Sequence, residues 1–170
     1  MPVYHFTVHA YRSWGPAKPR GYVQRGRGYL PPDPNMQKNY DARARQDPAS
    51  FNDRAIQEIL ILGCYDICSR RGWRLHGVGT DAKHWHWVVS WHGYVPWQDV
   101  RRITKNVLST LLNRITGQTG RRWFVRDGSR KRVESQDHLD YLLKTYLPDH
   151  RGLYWCQGMP LPADRFGIFS

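Results

Sequence analysis

The chain has 170 residues, with 26 Lys and Arg against 14 Asp and Glu and a formal net charge of +12. That length favours one domain with a real core, and that charge favours a polyanionic partner, nucleic acid first. Three cysteines (Cys64, Cys68, Cys156) exclude a disulfide framework and fit a reducing compartment.

No apolar run approaches a membrane span, and the N-terminus lacks a charged-then-apolar leader pattern. The expectation is a cytoplasmic protein that works on nucleic acid and has no membrane partner. Eight Trp and ten Tyr interleaved with arginine suit stacking on unpaired bases as well as phosphate contacts.

Val3 to Arg12 alternates, with Tyr4, Phe6, Val8 and Ala10 on one face and His5, Thr7 and His9 on the other, so a first strand is predicted. Residues 13–50 form a Gly-, Pro- and Arg-rich insertion. It reads as an arm that tracks a phosphate backbone, with a short helix around Pro34 to Arg45. Asn52 or Asp53 can cap a helix running to about Arg70, on which Ile56, Ile59, Leu60, Gly63 and Ile67 recur at helical spacing. Trp73 to Thr80 is a second strand, and Asp81-Ala82 turns it into an antiparallel partner.

That partner, Lys83 to Trp91 (KHWHWVVSW), carries most of the chemistry. In a strand, His84 and His86 share a face, while Trp85, Trp87, Val89 and Trp91 take the other. Two adjacent imidazoles on rigid backbone make half of a divalent-metal site. A bland alternative is a pair of ordinary strand histidines. Another is a structural zinc site with Cys64 and Cys68, four apart on one helix face.

Trp97 to Ile115 is predicted as a helix, with Arg101, Arg102, Lys105 and Arg114 on its polar side. A fourth strand is placed at Arg121 to Arg126 and a basic turn at Asp127 to Arg132. Asp137 to Leu147 is the last helix. At ~100° per residue, Leu139, Leu142, Leu143 and Tyr146 form its core stripe, and Tyr141 falls nearly opposite, beside His138 and Thr145. Residues 153–170 form a tail.

The order is β-α-β-β-α-β plus a helix. It predicts one α+β, ferredoxin-like domain over 1–170, with a four-stranded antiparallel sheet, helices on one face and a C-terminal helix carrying the tyrosine. The first strand and the His-Trp-His strand would be the central pair.

His84-Trp85-His86 resembles the histidine–hydrophobic–histidine motif of HUH single-strand DNA nucleases. The late helix with a nucleophilic tyrosine resembles the Y1 transposases of small insertion sequences. His138-Leu139-Asp140-Tyr141 followed by Leu147-Pro148-Asp149-His150-Arg151-Gly152 is most similar to the REP-associated tyrosine transposases. The resemblance runs from the first strand to about Gly152.

The resemblance implies a transposase-like endonuclease that cuts and rejoins single-stranded or hairpin DNA through a 5′-phosphotyrosine. Tyr141 would be the nucleophile. Mg²⁺ or Mn²⁺ would sit on His84, His86 and a residue four after the tyrosine. That residue is Thr145, where the family often has Gln or Asn, so His138, His150 or water are alternative third ligands. Lys144 is placed to help deprotonate Tyr141 and, with Arg12, Trp14, Arg20, Arg25, Arg27, Arg126, Arg130, Lys131 and Arg132, to contact DNA. A monomer and a homodimer that exchanges the tyrosine helix are both consistent with the resemblance. The competing function is a catalytically inactive or repurposed DNA- or RNA-binding domain of the same fold.

Overall fold

The computed structural model describes residues 1–24 and 26–169. Its elements are β1 (Val3–His9), β2 (Tyr22–Gln24), β3 (Gly28–Leu30), α1 (Pro34–Arg43), α2 (Arg54–Arg71), β4 (Arg74–Thr80), β5 (His84–Ser90), α3 (Trp97–Thr116), β6 (Ser129–Val133), α4 (Gln136–Tyr141) and β7 (Tyr154–Cys156). A π-helical turn, Leu142–Tyr146, continues α4.

The main sheet is antiparallel with strand order β6-β1-β5-β4-β7. The first strand and the His-Trp-His strand are the central pair, with Thr7 opposite His86 and His9 opposite His84. Two expectations are corrected. The sheet has five strands rather than four, because Tyr154–Cys156 in the tail pairs with β4. The strand beside β1 is Ser129–Val133, in place of the expected basic turn; the predicted strand at Arg121 to Arg126 contributes an isolated bridge between Phe124 and Ala10. Edge pairing explains the exchange. β1 offers a row of free backbone groups, and a Lys- and Arg-bearing segment suits the outer position, where its side chains stay wet.

The period-2 pattern decides which face is dry. Phe6, Val8, Trp85, Trp87 and Val89 point to one face and are buried with Ile59, Leu60, Leu108 and Leu112 of α2 and α3. Asp53 caps α2 by accepting from the Ala55 amide, and Gly72 ends it in the left-handed conformation. Gly63 lets α3 approach closely, since a Cβ there would press on Leu108 and lie 3.0 Å from Leu111 Cδ2. Cys64 and Cys68 belong to this core, beside Trp85 and Trp87. The sheet therefore separates them from His84 and His86, which removes the four-ligand zinc arrangement.

The other face carries His5, Thr7, His9, His84, His86 and Val88, and the tyrosine-bearing helix lies across it. Leu142 and Leu147 pack there with Val88 and Val133, joined by Leu139, Leu143 and Tyr146. Two glycines of β4 make room. A Cβ at Gly77 would stand 2.8 Å from Leu143 Cδ2 and 2.9 Å from Leu147 Cδ1, and one at Gly79 would stand 3.0 Å from Leu147 Cδ2. Burying leucines such as Leu147, with no exposed surface, is worth about 2–5 kcal/mol each against alanine. That packing holds the helix over the histidines.

Residues 13–50 contain the β2–β3 hairpin and α1, which Asp33 caps by accepting from the Met36 amide. No described helix is long and apolar enough to cross a membrane.

Candidate metal centre and tyrosine pocket

β5 supplies His84 and His86, and the turn after the tyrosine helix supplies His150. One ligand nitrogen from each lies within 4.8 Å of the others. The rings of His86 and His150 are 4.3 Å apart, those of His84 and His86 4.8 Å, and those of His84 and His150 5.4 Å. Among the described residues, these three are the group of His, Cys, Asp or Glu that converges in this way.

The surroundings orient each ring through Nδ1. His150 Nδ1 donates to the Tyr146 carbonyl at 2.8 Å. His84 Nδ1 faces the Asp81 carboxylate at 3.7 Å. His86 Nδ1 lies 3.0 Å from His5 Nε2 and 2.9 Å from Thr7 Oγ1. The nitrogen left on each ring is Nε2. That of His86 is buried with no hydrogen-bond partner. A buried nitrogen without a partner costs about 1–3 kcal/mol, and a cation held by its lone pair removes that cost. Carboxylate, carbonyl and hydroxyl contacts on the second ring nitrogen are the usual outer support of metal-binding histidines.

The electrostatics favour the neutral form of the two β5 rings, as ligands must be neutral. Burial, reinforced by His150, His5 and His84, pushes His86 down to about 2. Burial and Lys131 push His5 down to about 4. Burial also lowers His84, although Asp81 opposes it.

A cavity of about 490 Å³ opens over His84 and His86, and its lining includes His5, Thr7, Ser129, Lys131, His138, Tyr141 and Tyr146. Tyr141 is 54% exposed on its wall. Tyr146 meets His86, His150 and His5 edge-on at 5.2, 4.9 and 5.3 Å, and its ring lies 6.4 Å from that of Tyr141. On an α-helix, two residues five apart point about 140° away from each other. The π turn, closed by Leu147 N donating to Leu142 O at 2.9 Å, puts an extra residue in the turn. Both tyrosines therefore line one cavity, where the α-helical pattern puts them nearly opposite each other. Tyr146 keeps its expected packing role as well. Burial and Tyr141 raise its phenol pKa.

The other sequence-predicted residues are dispersed. Thr145 is exposed, and it is His150 that converges with the two histidines. Lys144 pairs with Asp140 on the outer side of the helix. Lys131 faces the cavity, whereas Arg130 lies over Trp97 on the opposite face of the sheet. Arg132, two residues on, shares that opposite side with Arg130, paired to Tyr4. Arg126 and Arg12 line a separate cleft, and Arg12 is tied to Asp41 and to the Gln46 carbonyl. Trp14 packs edge-on against Tyr22, and Arg20 and Arg27 are exposed in the insertion. Arg25 lies outside the described residues. The alternation of β1 places His5 on a polar face and assigns it no further role. The signal for that role is nonetheless present, since central pairing of β1 with β5 puts His5 beside His86.

No family model matches the chain, and no curated protein matches it. Among solved structures, the chain is similar to a REP-associated tyrosine transposase bound to a REP hairpin, with a TM-score of 0.46 and 11% sequence identity. The match covers 84% of this chain and 64% of that one, so this chain spans less than two thirds of that protein's length.

Proposed function

We propose that the chain is a metal-dependent single-stranded DNA endonuclease of the HUH transposase type, which cleaves and rejoins DNA through a covalent 5′-phosphotyrosine on Tyr141. The observation that carries this reading is the convergence of His84, His86 and His150, with the buried Nε2 of His86 unpartnered, under a cavity whose wall holds an exposed tyrosine.

His84, His86 and His150 fit a divalent cation, and three neutral imidazoles suit Mn²⁺ better than the oxygen-seeking Mg²⁺. When bound, such an ion neutralises charge on the scissile phosphate and orients it.

The remaining roles fall to the chain's own groups. The Tyr141 oxygen attacks phosphorus in line, the P–O3′ bond breaks, and the departing O3′ takes a proton to give a free 3′-OH. Rejoining reverses this, with a 3′-OH attacking the phosphotyrosine and the phenol leaving. Energy is conserved in the phosphotyrosine bond, so no nucleotide cofactor is needed. A free phenol has a pKa of about 10, so its proton needs an acceptor. His138, one turn earlier on α4 and lining the same cavity, shares its helix face and takes that role. Lys131, which lines the cavity, pairs with the DNA backbone. Duplex DNA would have to be opened to reach an active site on a sheet face, so the substrate proposed is single-stranded DNA beside a hairpin.

Covalent capture tests the reading. The protein is mixed with end-labelled single-stranded hairpin DNA from its own genomic flanks, with and without Mn²⁺, and resolved on a denaturing gel. A metal-dependent shifted band that is lost in Tyr141→Phe is the expected result. Tight binding with no adduct would replace the proposal with a binding domain of the same fold.

A further inference from the structure

We propose that the insertion over residues 13–50 serves the histidine cavity by holding Lys18 at its mouth, where Lys18 and Lys83 clamp the phosphate next to the scissile one. This role rests on the endonuclease reading and adds a substrate contact to that same site.

The insertion gives little to the core. None of the ten residues of α1 is buried, and the β2–β3 hairpin buries Tyr22 while Val23 and Tyr29 stay 69% and 67% exposed. Burial of apolar surface is what stabilises a fold, so an ordered element that buries so little has another use. What it fixes is its own first turn. The Asp33 amide, at the start of α1, donates to the Pro16 carbonyl at 2.9 Å. Gly15 and Pro16 are buried, and a Cβ at Gly15 would overlap the Gln37 side chain of α1. Gln37 donates to Asp41 at 3.0 Å, and Asp41 pairs with Arg12. The Gly21 amide donates to the Lys18 carbonyl at 2.8 Å and closes the turn. Lys18 is thus carried on a braced loop.

That loop ends beside the histidines. Lys18 Nζ donates to the Ser13 carbonyl at 2.9 Å, and Ser13 Oγ donates to the Lys83 carbonyl at 3.1 Å. The three residues gather where β1 ends and β5 begins, next to His9 and His84. Those two histidines are paired across the strands with rings 5.5 Å apart, and His9 lines the cavity. The charges register the same proximity. Burial and Lys18 lower the pKa of His9, and partial burial and Lys83 lower that of Lys18. Burial lowers His84, and His9, His150 and Lys18 add to it against Asp81.

Both lysines are exposed, and among the described residues neither belongs to an ion pair. Asp81 is turned instead to the Lys83 amide at 3.1 Å and the His84 ring at 3.7 Å. Two neighbouring cations without a counter-charge favour an anion between them. An ammonium is a compact point charge that suits phosphate and reads no base. His9 stands between Lys18 and His84, so Lys18 meets the phosphate one step beyond the histidine triad. Lys131, opposite His5 on the other side of β1, lies toward the far end of the cavity. A strand crossing the triad therefore finds a cation on each side of the scissile phosphate.

Fluorescence anisotropy without divalent metal is the test. The probe is the single-stranded hairpin DNA of the genomic flanks, together with copies that carry one neutral methylphosphonate stepped along the unpaired arm. Lys18→Met is expected to weaken binding about 2–5-fold, as for one exposed ion pair. It should also lower the slope of log K against log salt by about 0.7, the value for one phosphate of a single strand. Lys18→Arg should keep the slope, because the charge stays. A methylphosphonate beside the scissile phosphate should reproduce the loss in the native protein and cost nothing further in Lys18→Met or Lys83→Met, which a general loss of folding would not imitate. An unchanged slope, or losses that add in full at every position, overturns the proposal. Coupling to a more distant phosphate overturns the placement beside the scissile one. Coupling at one phosphate in a protein that never forms an adduct would overturn the endonuclease reading and keep the lysine contact.

Discussion

His5 reaches diagonally across the central strand pair to His86, with His5 Nε2 3.0 Å from His86 Nδ1 and Thr7 Oγ1, directly opposite, 2.9 Å from the same nitrogen. For His86 Nε2 to present a lone pair to a cation, Nδ1 must carry the proton, and His5 and Thr7 are its acceptors. His5→Ala is therefore expected to weaken Mn²⁺ binding by about 10–100-fold, the usual effect of removing such an outer partner. His5→Gln, whose amide oxygen can accept the same proton, is expected to recover part of the loss. Calorimetric titration of the purified variants reads both.

Third-ligand identity separates two residues five apart. His150→Ala is expected to reduce Mn²⁺ affinity strongly, because His150 lies with His84 and His86 within 4.8 Å. Thr145→Ala is expected to change it little, because Thr145 is exposed and offers only a hydroxyl, a poorer ligand than an imidazole. The opposite ranking in the same titration would return the third position to Thr145.

The two tyrosines of the cavity are expected to differ in role. Tyr141→Phe should abolish the covalent adduct while DNA binding persists. Tyr146→Phe keeps the ring that meets His5, His86 and His150 and should still form the adduct. An adduct in Tyr141→Phe that disappears in Tyr146→Phe would exchange the assignments.

Seating of the tyrosine helix depends on a missing side chain. Gly77→Ala puts a methyl 2.8 Å from Leu143 Cδ2, 2.9 Å from Leu147 Cδ1 and 3.2 Å from the Trp155 carbonyl. Overpacking of this kind costs about 1–3 kcal/mol, against a gain of about 0.4–1 kcal/mol from a stiffer unfolded chain. A net loss of stability is expected in urea titration. Adduct formation should fall with it, because the displaced leucines carry Tyr141.

Acid should loosen the histidine face. His5 and His86 sit at about 4 and about 2 in the folded protein, below the ordinary value near 6.5. A group with a depressed folded pKa leaves the unfolded chain holding more protons below 6.5. The stability it contributes is thus complete above about pH 6.5 and is lost as pH falls from there toward 4 for His5 and toward 2 for His86. Melting temperature should fall from pH 7 to pH 5, and His5→Gln should flatten the slope. An unchanged slope would show that His5 is not held neutral.

Local pattern is enough to read β1, the His-Trp-His strand, α2 and α3, because burial on one face leaves a period of 2 or 3.6 in the residues themselves. It also pairs β1 with β5 and puts both histidines of β5 on one face. Tertiary structure decides the rest. The strand beside β1 is Ser129–Val133 rather than Arg121 to Arg126, since an edge strand takes its hydrogen bonds from its neighbour and leaves little pattern in its own side chains. Tyr146 joins Tyr141 at the cavity because five residues close a π turn, which helical periodicity at ~100° per residue cannot express. His150 completes the histidine cluster because Leu142 and Leu147 dock on the sheet beside Val88 and Val133. That docking depends on the empty space at Gly77 and Gly79, in a strand some seventy residues away.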